Sequence, residues 1–396
     1  MKSQIVLYLI LLPILLISCS TDKQQRKELS YIDVKTDYPE KVIDLTDIAD
    51  VTYLHLNTKS DDFIYKGRID YVTQKTIVVV DRSSQSVLFF SKDGKPKTRF
   101  NRKGQGPEEY TDAAYIMYDE TTDEVFISPD FSDHIKVYSS SGEYKRKLTF
   151  PKINIDGQMA FFDDKSIMVY DNTNLWQNVR AKYSGEKMVL AKQYVDSSIY
   201  LISKTDGKVL DYIMLPSKNI DLSYSDPEGS FFGQIRFARV RKSPDGIFLY
   251  NPENDTVFLY GKDRSLTPYM HKKPLMSDLN PIIAMDICMD AGKFQFMSIY
   301  PYSTDGKTPE AKYYMRDKKT GEIFRQKLIL SDYKGKEIFI NPRLPNYYEN
   351  GYHFELDLLE LKEAYRENKL SGKLKELAAS LNEDEDNNIF VFLSFK

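Results

Sequence analysis

The sequence predicts an all-β repeat fold, a six-bladed β-propeller, and three observations carry that prediction. A strand–turn–strand unit recurs along the chain. Aromatic residues make up 13% of it, with 29 Tyr and 22 Phe against one Trp, and such residues suit pleated, half-buried surfaces. Strand-like segments also lie near both ends, as a ring needs in order to close without leaving an edge.

The repeat is clearest in residues 77–100 (IVVVDRSSQSVLFFSKDGKPKTRF) and 125–150 (VFISPDFSDHIKVYSSSGEYKRKLTF). Each gives a β-rich run, a polar turn, a second β run, a tight turn with glycine and a third strand. The turns at Asp93-Gly94 and Ser141-Gly142 are 48 residues apart and suit two-residue hairpins, where positive φ favours a residue without Cβ. Weaker copies turn at Asp206-Gly207, Asp263-Arg264 and Thr320-Gly321. Spacings of about 48 to 65 residues fit four-stranded blades with loop insertions. A sixth blade is expected from both ends, residues 42–45 and 51–56 pairing with 389–395 (IFVFLSF). Residues 355–381 carry Leu358, Leu361, Leu370 and Leu374 at helical spacing, broken near Ser371-Gly372. They are too short to bury a core of their own and read as a helical insertion outside the last blade. Residues 151–199 and 270–312 depart from the repeat.

The 55 basic and 58 acidic residues are well mixed, and the net charge of −3 leaves no electrostatic footprint for nucleic acid. Residues 1–18 read as a signal peptide. Lys2 precedes the apolar run 5–17, which is too short for a comfortable membrane span and ends in Leu16-Ile17-Ser18-Cys19. That ending resembles the lipobox of bacterial lipoproteins, with Cys19 acylated and inserted in a lipid bilayer. Ser20 after the cysteine fits sorting to the outer membrane, and which side of it the protein faces stays open. Residues 19–35 are expected to be a lipidated flexible tether, and 36–396 the propeller. With Cys19 acylated, Cys288 has no intramolecular partner and reads as a buried small hydrophobe.

The pattern of strand, Asp, polar turn, strand, Asp-Gly and strand in 77–110 resembles NHL-repeat propellers. The link Gly104-Gln105-Gly106-Pro107-Glu108-Glu109-Tyr110 and the later Asn254-Asp255-Thr256-Val257-Phe258 extend the likeness. The chain from about residue 35 onwards is similar to six-bladed propeller lipoproteins of anaerobic Gram-negative gut bacteria. That resemblance implies a fold and an address, and no catalytic residues.

Each candidate for chemistry has an ordinary alternative. Gly104-x-Gly106 is followed by Pro107 rather than a helix, so it reads as an inter-blade turn and not a phosphate loop. Asp81, Asp130, Asp163, Asp164 and Asp171 lie near strand ends. They could converge on calcium in a central channel, or serve turns and caps. Arg236, Arg239 and Arg241 share one segment and could grip carboxylates or acidic glycans. Trp176, among Asn and Gln, could offer a platform to a sugar or a protein partner. Asp255-Thr256-Val257 resembles an O-glycosylation acceptor. No catalytic residue, cofactor or metal-ligand set is assigned. The expectation is a membrane-anchored binding or scaffold protein presenting its loop faces to a protein, peptide or glycan. The alternative is a cation-dependent, lactonase-like hydrolase or lyase with its site in the channel.

Overall fold

The apolar runs form the middle strands of antiparallel sheets. Thr76–Val80 and the first four residues of Val87–Ser91 are buried at every position, because both faces of the sheet are covered by neighbouring sheets. The computed structural model describes residues 29–58, 61–129, 132–150, 155–171, 197–215, 223–225, 232–234, 240–250, 255–279, 283–301, 311–340, 347–348, 351–383 and 386–396.

Among these, sheet I comprises Ile69–Val72, Thr76–Val80, Val87–Ser91 and Pro96–Phe100 in sequence order. Sheet II follows with Tyr115–Asp119, Glu124–Ser128, His134–Tyr138 and Tyr144–Thr149. Sheet III holds Ile155–Phe161, Ser166–Asp171, Ser197–Ser203 and Val209–Leu215. Sheet IV holds Val240–Ser243, Gly246–Tyr250, Thr256–Gly261 and Leu266–Lys273. Sheet V holds Ile283–Ala291, Phe294–Pro301, Lys312–Asp317 and Ile323–Leu330, with Tyr333–Ile338 paired to the last of these. Sheet VI combines Tyr347–Tyr348, Gly351–Leu356, Ile389–Phe395 and the N-terminal Ala49–His55. A two-stranded ribbon, Ser223–Ser225 with Phe232–Gln234, stands apart.

Hydrophobic clusters join successive sheets. Val80 and Phe89 of sheet I pack with Ile116 and Val125 of sheet II. Equivalent clusters join II to III, III to IV, IV to V and V to VI. Phe390 and Phe392 of sheet VI then pack with Ile77 and Phe90 of sheet I. The chain is all-β and propeller-like.

The expected hairpin turns are present, one or two residues longer than anticipated. Ser91 N–H donates to the Lys95 carbonyl and Gly94 N–H to that of Ser91, leaving three loop residues with Gly94 at φ +81°. Gly142, Gly207, Gly321 and Arg264 also have positive φ at the equivalent places. The turns ending in Gly207 and Gly321 hold four residues, Ser203 N–H reaching Lys208 and Asp317 N–H reaching Glu322. The extra residue is absorbed by a bulge, seen where the register shifts at Phe89/Phe90 and Val137/Tyr138.

The N-terminal expectations need two corrections. Ala49–His55 does pair antiparallel with Ile389–Phe395. Glu40–Asp44, expected beside it, instead pairs in parallel with the outer strand of sheet V. The tether expected to reach residue 35 is already structured at 30. Ser30–Asp33 pairs in parallel with Met270–Lys273, and Ile32 is fully buried in the core between sheets IV and V. Burial of that isoleucine outweighs the polar composition around it. Near the C-terminus, Glu355 and Leu356 complete a strand, and the helices are Leu358–Arg366 and Gly372–Ser380. Asp357 caps the first by accepting from Glu360 N–H at 3.0 Å. Leu361 and Leu374 place both helices in the core shared by sheets V and VI.

Candidate functional site: an axial cavity

The first strand is short and mixed in polarity in sheets I, II and IV. It meets its counterparts where the sheets converge. A cavity of about 570 Å³ is walled by residues from 68–74 of sheet I, 114–121 of sheet II and 159–164 of sheet III. Lys242 of sheet IV and Tyr348 of sheet VI complete the lining, together with Lys204 from a turn of sheet III. Five sheets present the same strand to one space, so that space lies on the axis of the arrangement. Its size falls in the range of small-molecule sites.

Its walls are aromatic and charged. Tyr71 meets Phe161 edge-on with centroids 6.3 Å apart, and the Lys204 ammonium lies 4.8 Å from the centre of the Phe161 ring. Lys204 is buried and ion-paired with Asp119. Burial opposes ionisation of Asp119, yet hydrogen bonds from Lys204 and Thr121 hold its carboxyl down at about 2. Asp70 accepts Val80 N–H at 2.9 Å and pairs with Arg82, while Arg68 Nε stands 3.9 Å away. Burial pushes the Asp70 carboxyl up to about 6 against the pull of both arginines. Glu120 accepts from Thr76 Oγ1 at 2.6 Å, and Asp163 from Ser166 Oγ at 2.6 Å.

Two of the residues singled out in the sequence, Asp163 and Asp164, fall in this cavity. Cys19, Asp130, Trp176, Arg236 and Arg239 lie outside the described residues, as do the side chains of Asp171 and Cys288. Arg241 is internal. It is 5% exposed, and its Nη2 lies 3.6 Å from Asp286 Oδ2, between the first strands of sheets IV and V. Asp81 organises a turn, accepting from Ser83, Ser84 and Lys66. Among the described residues no three His, Cys, Asp or Glu side chains are placed to hold a metal ion.

Gly104-x-Gly106 joins sheets I and II as an inter-sheet turn. Glu109 fills its concavity and accepts Gly106 N–H at 2.8 Å, and a Cβ on Gly104 would fall 1.8 Å from the Glu109 carboxylate. The glycosylation-like triplet is also internal. Asp255 is ion-paired at 2.9 Å with the fully buried Lys272, and Thr256 Oγ1 is 2.9 Å from His271 Nδ1. The residues that do line the axis, Arg68, Asp70, Tyr71, Phe161 and Lys242, were missed. Their strands precede the recognisable hairpin unit and lack its long apolar runs.

Residues 29–394 match the family described as a domain of unknown function, DUF4934. The chain belongs to the DUF4934 family. No curated protein matches it. This DUF4934 chain is similar to the crystal structure of a Bacteroides fragilis protein described as exported. That likeness has 17% identity and a TM-score of 0.59, over 93% of this chain and 100% of that one. It shows the fold alone. A DUF4221 family member from Bacteroides vulgatus aligns at 12% identity over 88% of this chain and 97% of that one, with a TM-score of 0.45. A Staphylococcus aureus virginiamycin B lyase aligns at 12% identity over 69% and 97%, with a TM-score of 0.32, and nothing is carried over from it. Among the described residues of this DUF4934 protein no helix is long and apolar enough to cross a membrane.

Proposed function

We propose that this protein is a lipid-anchored envelope receptor, a six-bladed propeller held at the outer membrane by acylated Cys19, that binds a small sugar in its axial cavity. The single observation carrying this reading is the cavity, to which five sheets contribute. Half-buried Tyr71, Tyr115 and Phe161 offer flat apolar faces for the C–H side of a sugar ring. Gln74, Thr121 and Asp164 offer hydrogen-bonding groups for hydroxyls in the same space. Six blades are supported by the core clusters, which join each sheet to the next and sheet VI back to sheet I. Lipid anchoring is supported by the lipobox-like ending at Cys19 and the polar stretch that follows.

Calorimetric titration of mono- and disaccharides into the full-length chain in detergent tests the site. Ala114 lines the cavity, so Ala114→Trp fills it without removing a polar group. We expect a sugar that binds the parent chain to lose at least about tenfold in affinity to the folded variant. Binding unchanged by Ala114→Trp would place the ligand elsewhere and overturn the reading.

A further inference from the structure

The charges lining the cavity suggest at first a site for cations. Asp70, Asp119, Glu120, Asp163 and Asp164 outnumber Arg68, Lys204 and Lys242. What a ligand contacts best is a charged group whose hydrogen-bonding capacity is not already taken up by the wall. Asp70 is taken by Arg82 and Val80 N–H, and Asp119 by Lys204 and Thr121. Glu120 is taken by Thr76 and Lys75 N–H, and Asp163 by Ser166 and Lys165 N–H. Lys204, as the partner of Asp119, is committed too. Among the described residues Lys242 and Asp164 have no ion pair, and Arg68 has only a long one to Asp70. Arg68 Nε stands 3.9 Å from Asp70, whose stronger partner is Arg82. Lys242 is exposed and has no ion pair among the described residues.

From this balance we infer that the axial cavity selects an anionic sugar, a uronic acid, with Arg68 and Lys242 receiving the carboxylate and the aromatic wall receiving the ring. The inference rests on the cavity being the binding site. A guanidinium with only a long ion pair, and an ammonium with none among the described residues, gain a charge-assisted hydrogen bond on binding, whereas a committed carboxylate would first have to give up one it already has. The aromatic wall explains why the ligand is a ring rather than a bare anion.

The probes are glucuronate and galacturonate beside neutral glucose and galactose, titrated calorimetrically into the full-length chain at pH 7 in low salt and in 0.5 M salt. Both acids and their neutral parents are also titrated into Lys242→Gln, Arg68→Gln and the double variant, with thermal melts confirming the fold. We expect at least one acid to bind about tenfold or more tighter than its neutral parent, with the preference shrinking in high salt. The double variant should bring acid and parent to similar affinity. Lys242→Gln, an exposed position, should already reduce the preference if Arg68→Gln fails to fold. Equal binding of acid and parent, no binding of either acid, or a preference that survives both substitutions would overturn the inference. Sugar binding that Ala114→Trp abolishes but the charge variants leave alone would sink this inference while sparing the cavity. Binding unaffected by Ala114→Trp would sink the cavity reading itself.

Discussion

Sheets I to III and sheets IV to V treat their outer edges differently. Sheets I and II end on strands rich in charge, with Pro96, Lys97 and Arg99 on one and Lys145, Arg146 and Lys147 on the other. Charge and proline discourage an edge from pairing with another chain. Sheets IV and V instead each receive a strand from the N-terminus, Ser30–Asp33 and Glu40–Asp44, in parallel. Sheet III uses neither device. Its outer strand exposes Leu210, Tyr212 and Met214, each 45–50% accessible. The turns differ in the same sense. A Cβ on Gly94, Gly142 or Gly207 would strike the outer strand of the preceding sheet within 3 Å, whereas Gly321 of sheet V has nothing within 4 Å. The first half of the ring is locked by turns pressed against the sheet before them. The second half is locked by a strap of 26 residues, 30–55, laid across its rim.

The largest effect should come from the strapped half. Asp255→Ala leaves Lys272 charged and fully buried, and we expect urea denaturation to show a loss of about 3–5 kcal/mol. Removing Asp93, whose pair with Lys95 is exposed in sheet I, should have no measurable consequence. Equal costs would erase the distinction between the halves.

Ile32→Ala should come next, at about 2–4 kcal/mol, because Ile32 seals the core between sheets IV and V. Leu210→Ala on the open edge of sheet III should stay within about 0.5 kcal/mol. A small effect at Ile32 would mean that the strap is an ornament of the rim and not part of the core.

The smallest effect at neutral pH belongs to the seam where sheet VI meets sheet I. Burial pushes the His353 imidazole down to about 3, and Lys92 and Arg68 add to this. The unfolded chain takes up that proton near pH 6.5 and the folded chain only near 3, so stability falls as pH drops through this window. Asp70 acts in the opposite sense between about 4 and 6, since its raised pKa favours the protonated fold. We therefore expect His353→Phe to match the parent chain near pH 7 and to melt less readily than it at pH 4. An identical acid limb in the two chains would contradict the neutral, buried histidine.

Much of this architecture was legible in the sequence because middle strands such as 77–80 and 87–90 are apolar runs and the turn residues recur. Positive φ at Gly94, Gly142, Gly207 and Gly321 is what an Asp-Gly, Ser-Gly or Thr-Gly turn announces. Turn length was not legible, since three- and four-residue loops share the same glycine. The strap was hidden for a related reason. Segments such as SYID and EKVID bury only one side against an outer strand, so their pattern resembles that of a solvated linker. The cavity was the least legible feature. Its residues come from five sheets, and nothing in the spacing of Arg68, Phe161 and Lys242 signals that they share one space. Arg241 shows the converse. The fold places this one arginine of the basic segment beside Asp286 in the interior.

Hydrogen exchange of the full-length chain, with and without a saturating sugar found by titration, tests most directly the claim that the ring binds at its axis. We expect added protection in residues 68–74, 114–121 and 159–164, with the strap 30–55 and the outer strands unchanged. Protection confined to the outer strands or the rim, with those three segments unaffected, would contradict it.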